Sequence, residues 1–160
     1  MERSPVQAAA WLRRAAEQGS PEGQSIFGFC CLEGFGVKKD AGQAAAWFRK
    51  SAEQGCSEGR FGLAICYFSG AGTQQNDRTA ADLCRCAAEQ GHVKAMIRLG
   101  ACCLEGRGTA RDLVAAEDWL CRAVKTGDAQ GWKDKLDRTQ ALRLLADMKV
   151  VDVKPQSGAV

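Results

Sequence analysis

Nine cysteines and a single histidine, His92, are the residues of this 160-residue sequence whose side chains are best suited to chemistry. Thiolates and imidazoles bind zinc and act as nucleophiles and bases in catalysis. Because the chain has one histidine, any catalytic or metal site that needs two is excluded within a single copy. His92 lies in the first turn of a predicted helix, where capping or exposure to solvent is its ordinary role. With no nucleophile–base pair in the sequence, we predict that the chain is not an enzyme.

The spacing of the cysteines differs from that of a structural zinc site. One residue separates Cys84 from Cys86, and the pairs Cys30–Cys31 and Cys102–Cys103 are adjacent. Zinc sites use cysteine pairs with about two to four residues between them. Neighbouring residues of an α-helix point about 100° apart, so adjacent cysteines do not converge on one ion. The sequence therefore predicts no bound metal, no cofactor and mostly buried thiols, with Cys56, near a helix start, as the thiol expected to be exposed and to have a lowered pKa.

The odd number of cysteines and the N-terminal residues favour a reducing compartment. Secreted proteins with disulfides usually carry cysteines in even numbers. Residues 1–18 contain five charged residues and no continuous apolar segment, unlike a secretory signal peptide. We therefore predict reduced thiols and a cytoplasmic location.

The overall composition is that of a soluble globular protein, with 46% hydrophobic and 26% charged residues. The net charge of +3 is close to balance, which argues against a nucleic-acid-binding protein. The longest apolar run, Phe61–Phe68, is much shorter than the roughly 18 residues of a membrane span. We predict no nucleic-acid partner and no membrane span.

The elements that must position these residues follow from a strict period of 36 residues. The periodic columns are Gly19, Gly55, Gly91 and Gly127; Gly34, Gly70 and Gly106; Gly36, Gly72 and Gly108; and Trp11, Trp47, Leu83 and Trp119. A fixed period between about 20 and 50 residues is the signature of a stacked repeat array.

Each repeat is predicted to form two antiparallel α-helices separated by glycine turns. In residues 19–54, Ser20 is a typical N-cap and Gly34 fits the left-handed residue that ends a helix. Asp40 caps the second helix, and Asn76 and Asp112 hold the same position in the later repeats. The apolar residues of both helices follow the 3.6-residue period of a helix with one buried face.

Small and large residues recur at fixed positions of these helices. Gly28, Ala64 and Gly100 share one column, which predicts close approach of a neighbouring helix. The Trp47 column is predicted to fill the space between helices, since each buried aromatic ring removes about 150–250 Å² from water.

We predict an all-α fold, a solenoid of antiparallel helix pairs in which residues 1–150 form a single domain. Its parts are a half repeat at 5–18, full repeats at 19–54, 55–90 and 91–126, and a capping helix at 128–149. Repeat arrays require such polar-backed caps. Residues 151–160 are predicted to be a disordered tail.

With these columns placed, the chain resembles the Sel1-like repeat family, a relative of the tetratricopeptide repeat. The residues that carry the resemblance are Ala95, Leu99, Gly100, Gly106, Gly108, Asp112, Ala116, Trp119, Ala123 and Gly127 in the third repeat, with matching subsets in the first and second. The resemblance covers about residues 5–127 and departs from the family at Cys31, Ala64, Leu83 and Cys103. It implies a right-handed solenoid that acts as an adaptor for other proteins.

In this class of helix pair the first helices line the concave side, which we expect to bind a partner peptide or helix. The predicted binding residues are Ile26, Phe29, Phe61, Ile65, Phe68, Lys94, Ile97 and Arg98. The alternative, that about half of these positions pack against the neighbouring repeat, stays open. The predicted function is a protein-interaction scaffold.

A cysteine-rich redox or metal-linked assembly factor is the alternative function, because mitochondrial assembly factors of similar repeat type are cysteine-rich. This alternative would place the chain in the mitochondrial intermembrane space. Some bacterial relatives carry one disulfide per repeat, but residues such as Ala52 and Arg60 occupy the corresponding positions here. The half repeat at the N-terminus would expose Trp11 and Leu12, which suggests either a segment of a longer array or a homodimer through this helix.

Overall fold

The computed structural model describes residues 4–131 and 135–152, and this part of the chain is helical with no β-strand. The helices are α1 (Pro5–Glu17), α2 (Pro21–Glu33), α3 (Ala41–Glu53), α4 (Ser57–Ser69), α5 (Asp77–Glu89), α6 (Val93–Glu105), α7 (Leu113–Gln130) and α8 (Lys135–Asp152). The predicted all-α solenoid is confirmed, with first helices α2, α4 and α6 and second helices α1, α3, α5 and α7.

The helix ends form where the capping residues were predicted. The side chains of Asp40, Asn76 and Asp112 each accept a hydrogen bond from the backbone N–H three residues later, at 2.9–3.1 Å. Ser20 does the same for α2, and Gly34 ends that helix in the left-handed conformation. Local chemistry therefore sets the boundaries of the helices.

Each helix packs against the helices that precede and follow it, and α2 also contacts α4. The connectors between first and second helices join successive repeats through their second glycine. A Cβ at Gly72 would overlap the backbone carbonyl of Ala41, the first residue of α3. Gly36 and Gly108 have the same relation to the first residues of α1 and α5. Glycine is therefore required there both by its positive φ and by this close approach.

The largest buried side chains come from the column next to the tryptophans. Phe48 and Leu120 are completely buried, at 0% exposure, whereas Trp47 and Trp119 are only half-buried and Trp11 is 69% exposed. Lys50 and Arg122 lie over the rings of Trp47 and Trp119, with 4.4 and 4.6 Å between cation and ring centre. Trp47 and Trp119 pack against the core as the column was predicted to do, but the fully buried residues are those one position later, Phe48 and Leu120. The indole rings of Trp47 and Trp119 cover the outer edge of the core, and one cation stacks on each ring.

The C-terminal end departs from the predicted period. The predicted boundary at Gly127 lies inside α7, which continues to Gln130, because Gly127 is helical where Gly19, Gly55 and Gly91 have a positive φ. The next positive-φ glycine, Gly131, ends the helix instead. The capping helix therefore spans 135–152 rather than 128–149, and its last two residues belong to the predicted tail. Residues 132–134 of the predicted cap and 153–160 of the predicted tail lie outside the described residues.

Candidate functional site

A groove on the side of the first helices holds a cavity of about 570 Å³, larger than a second cavity beside it. The first turns of α2, α4 and α6 form its floor, and the end of α7 and Asp137 of α8 close one side. Each first helix begins at the same level because each starts 36 residues after the previous one. The repeat period therefore aligns three helix N-termini along one surface.

The smaller cavity, of about 220 Å³, lies between α4, α6 and α8. Its walls are Phe61, Lys94, Ile97, Arg98, Ala101, Asp137 and Gln140. Lys94 and Asp137 border both cavities, and 3.8 Å separates Lys94 Nζ from Asp137 Oδ2. The two cavities are therefore neighbouring parts of one groove.

The eight predicted binding residues fall into three groups. Ile26 is 45% exposed, and Lys94 and Arg98 are also exposed in the cavity walls. Phe61 and Ile97 are core residues, only 7% and 3% exposed, whose edges reach the smaller cavity.

Phe29, Ile65 and Phe68 are partly buried and pack against the core. The ring of Phe29 meets that of Phe48 edge-on, with 4.7 Å between centroids. Phe68 lies under the guanidinium of Arg107, 5.0 Å from its ring centre. The groove therefore presents a limited apolar surface rather than a continuous strip.

His92 caps α6, which was one of the two ordinary roles expected for it. Its Nδ1 accepts a hydrogen bond from the backbone N–H of Ala95 at 3.1 Å, so the proton lies on Nε2. Nε2 donates to Glu58 Oε2 at 2.9 Å, and the imidazole lies 4.8 Å from the ring of Phe61. Because both ring nitrogens are engaged, the geometry suits a structural tie between α4 and α6 rather than proton transfer.

The thiols are all unpaired, and most are buried. Burial raises the pKa of Cys66 and Cys102 to about 11 and that of Cys84 to about 12. A buried thiol of this kind is a poor nucleophile because the thiolate is the reactive form. Cys56 was predicted to be exposed but is only partly exposed, and the exposed thiol is Cys86. Cys56 takes the N-cap position of α4, where its side chain makes no capping hydrogen bond.

Within residues 4–131 and 135–152, no group of three or more histidine, cysteine, aspartate or glutamate side chains is arranged to hold a metal ion. In the same ranges, every helix is too short or too polar to cross a bilayer.

Sequence reasoning missed the contribution of α8 to the groove. Asp137 and Gln140 line the smaller cavity, yet they lie beyond the residues that follow the 36-residue period. The sequence predicts only a polar-backed capping helix in this part of the chain. The signal that could have found them is the polar face of a helix expected to pack beside α6.

The family model of the Sel1 repeat matches residues 1–20, 21–56, 57–92 and 93–128. The chain is 30% identical to a Sel1 repeat protein from Oxalobacter formigenes, with a TM-score of 0.70 over 91% of this chain and 60% of that one. It is also 30% identical to c5321, a protective antigen of uropathogenic Escherichia coli strains that displays an SLR fold. The TM-score is 0.71, over 89% of this chain and 33% of that one. The chain thus spans 60% or less of these two solved structures. No curated protein sequence matches it.

Proposed function

Because the chain belongs to the Sel1 repeat family, we propose that it is a protein-interaction scaffold whose concave groove binds a segment of a partner protein. Sel1 repeats are generally protein–protein interaction modules. The observation that carries the proposal is the exposed apolar surface inside the groove, above all Ile26, which is 45% exposed in the wall of the larger cavity.

The dimensions of the groove agree with this role. Its volume of about 570 Å³ lies within the range of roughly 300–1,000 Å³ that is typical of binding sites. The groove runs across three parallel helices, so an extended or helical segment could contact all of them at once. The engaged nitrogens of His92 and the raised pKa values of the buried thiols give binding more support than chemistry.

The test compares two apolar-to-acidic substitutions at exposed positions. A library of random linear peptides is selected on the wild-type chain, and the affinity of the enriched peptides is measured by fluorescence anisotropy. Ile26→Glu places a charge in the groove and should weaken binding roughly tenfold or more, as loss of a central apolar contact does. Val114→Glu is the matched control, because Val114 is 80% exposed on α7 and does not line either cavity.

Both variants should keep the helical circular dichroism of the wild type, since neither residue is buried. Failure to enrich any peptide, or equal affinity of the Ile26→Glu and wild-type chains, would contradict the proposed groove.

We also propose, as finer parts of this function, a reducing location and a homodimer through α1. All nine cysteines are unpaired, which supports a reducing compartment such as the cytoplasm. Val6 and Trp11 of α1 are 63% and 69% exposed, which supports a contact between copies there. Sedimentation equilibrium of the wild type and of Trp11→Glu measures this directly, and a wild-type chain that stays monomeric at high concentration contradicts it.

A further inference from the structure

α8 has the sequence pattern of a first helix, placed later than the repeat period would put it. Residues 141–146 read ALRLLA, and residues 95–100 of α6 read AMIRLG, 46 positions earlier. Ala141 is completely buried, as Ala95 is in α6, and Leu145 packs against the same core. α8 contacts α7 and α6, just as α4 contacts α3 and α2. α8 is therefore the first helix of a further repeat.

The exposed face of α8 is the one that α6 turns towards the second helix of its own repeat. Gly100 approaches α7 so closely that a Cβ there would overlap Leu120. Ala146 takes the position of Gly100 in the shared pattern, and it is exposed where Gly100 is buried. Leu142, one turn earlier, is 41% exposed, whereas Met96 at this position of α6 is 4% exposed. α8 thus presents an apolar face with a small residue on it, which suits the packing of a second helix.

α1 presents the complementary face, because it is a second helix. Leu12 holds the position at which Phe48 and Leu120 are completely buried, yet it is only partly buried. Trp11 is 69% exposed, whereas Trp47 at its position is half-buried. In the part of the chain that the structure describes, α1 therefore exposes residues that a first helix covers in the other repeats.

We propose that α8 of one copy docks against α1 of a second copy, as α2 docks against α3 and α6 against α7 within the chain. Ala146 of one copy then faces Leu12 of the other, and Leu142 packs beside Trp11. The small residue meets the large one, as Gly100 meets Leu120 inside the array. This inference rests on the proposed contact through α1 and names the surface that binds it.

The proposed contact is heterologous, because α1 and α8 are different surfaces. A pair of copies keeps one α1 and one α8 unoccupied, so further copies add at the two ends as the concentration rises. A contact between two α1 helices would instead stop at two copies. A single helix pair makes a small interface, so the association should be weak and depend on concentration.

Sedimentation equilibrium of the full chain over a range of concentrations tests the pairing. Trp11→Glu and Leu142→Glu each place a carboxylate in one of the two faces, and each should weaken self-association roughly tenfold or more. An equal mixture of the two variants should form a 1:1 dimer of wild-type affinity and nothing larger, because each variant supplies the intact face that the other lacks.

The matched control is Ile26→Glu, because Ile26 is 45% exposed, similar to Leu142, but lies in the groove. This variant should associate as the wild type does. Ala146→Glu is a second variant on the α8 face, and it should repeat the behaviour of Leu142→Glu, including the recovery of a dimer with Trp11→Glu. Circular dichroism of each variant checks that its helices remain folded.

The outcomes separate this pairing from the earlier proposals. If Trp11→Glu weakens association but Leu142→Glu and Ala146→Glu do not, the role of α8 is overturned and the contact through α1 stands. If the mixed variants fail to form a dimer, or if Ile26→Glu weakens association equally, the pairing is overturned. A wild-type chain that stays monomeric overturns both the pairing and the α1 contact, whereas the groove is tested separately by the peptide library.

Discussion

Phe48 in α3 and Cys84 in α5 occupy the same position of successive repeats, and both are completely buried. Phe48 lies between Gly28 of α2 and Gly62 of α4, where a Cβ on either glycine would overlap its ring. The positions that correspond to these two glycines around Cys84 are Ala64 and Arg98.

The difference between these two junctions teaches that the size of one core residue decides what the first helices can carry. Where the core residue is large, both neighbours are glycine and the groove gains no side chain at residue 62. Where it is small, the next first helix has room for an arginine. The pKa of Cys84 is raised to about 12, chiefly by burial and also by Cys102, and the nearby Arg98 guanidinium opposes both with a smaller effect. Core volume and groove charge are thus coupled.

The largest expected effect comes from removing the large member of the comparison. Phe48→Ala should lower the free energy of unfolding by about 3–5 kcal/mol, because it leaves a cavity between two glycines that cannot fill it. Cys84→Ala, the matched change at the small junction, should cost about 1 kcal/mol. Urea denaturation followed by circular dichroism measures both, and equal losses would contradict the difference between the junctions.

The coupling between core volume and groove charge is tested by placing a large residue at position 84, the small core residue of the comparison. Cys84→Phe should lower the free energy of unfolding by about 1–3 kcal/mol through overpacking against Ala64 and Arg98. The same substitution in a chain that already carries Ala64→Gly and Arg98→Gly should cost less by about 1 kcal/mol or more. Additive costs across this mutant cycle would show that the positions do not share a volume.

A third expectation concerns the thiol that the small junction places in the core. At pH 8, a pKa of about 12 for Cys84 leaves only about one thiolate in ten thousand. Iodoacetamide labelling of the native protein, read by peptide mass spectrometry, should modify the exposed Cys86 first and leave Cys84 unmodified until the chain unfolds. Early labelling of Cys84 would place the small junction at the surface.

The smallest expected effect concerns the ion pair between Arg107 and Asp77. Beside the Cys84 junction, Arg107 donates two hydrogen bonds of 3.1 Å to Asp77. The corresponding positions beside the Phe48 junction are Ala71 and Ala41. The hydrogen bonds from Arg107 hold the pKa of Asp77 below its ordinary value. The stabilisation is therefore present above the ordinary carboxyl pKa of about 4 and is lost as the pH falls through the lower folded value.

Asp77→Ala should accordingly reduce the melting temperature slightly at pH 6, and the difference from the wild type should vanish in acid. Thermal unfolding at both pH values checks this, with Asp82→Ala on the same helix as the control. A difference that grows in acid would contradict the direction of the pKa shift.

Much of the fold could be predicted from the sequence because its determinants are local. The capping side chains of Asp40, Asn76 and Asp112 and the positive φ of Gly34 act within one turn, so residue type alone identifies them. The predicted boundary at Gly127 was wrong because residue type alone does not determine the conformation of a glycine. A glycine can be helical, and its conformation there differs from that of the other glycines of its column.

The candidate site was harder to predict because burial depends on the partner helices. Trp47 and Phe48 are adjacent and both aromatic, and only packing between α2 and α4 shows that Phe48 is the core residue. Phe61 and Ile97 have the spacing of groove residues but lie mostly in the core. Asp137 became part of the groove through the packing of α8, which lies outside the repeat period.

The contact of each connector with the preceding repeat also explains why the period is constant. Surface loops usually tolerate added residues, since they touch little besides solvent. In this chain an extra residue between Gly70 and Gly72 would withdraw the second glycine from the carbonyl of Ala41 and press a side chain against it. The loop therefore acts as a spacer of set length, and insertions that preserve this contact would have to fall outside the segment between the two glycines.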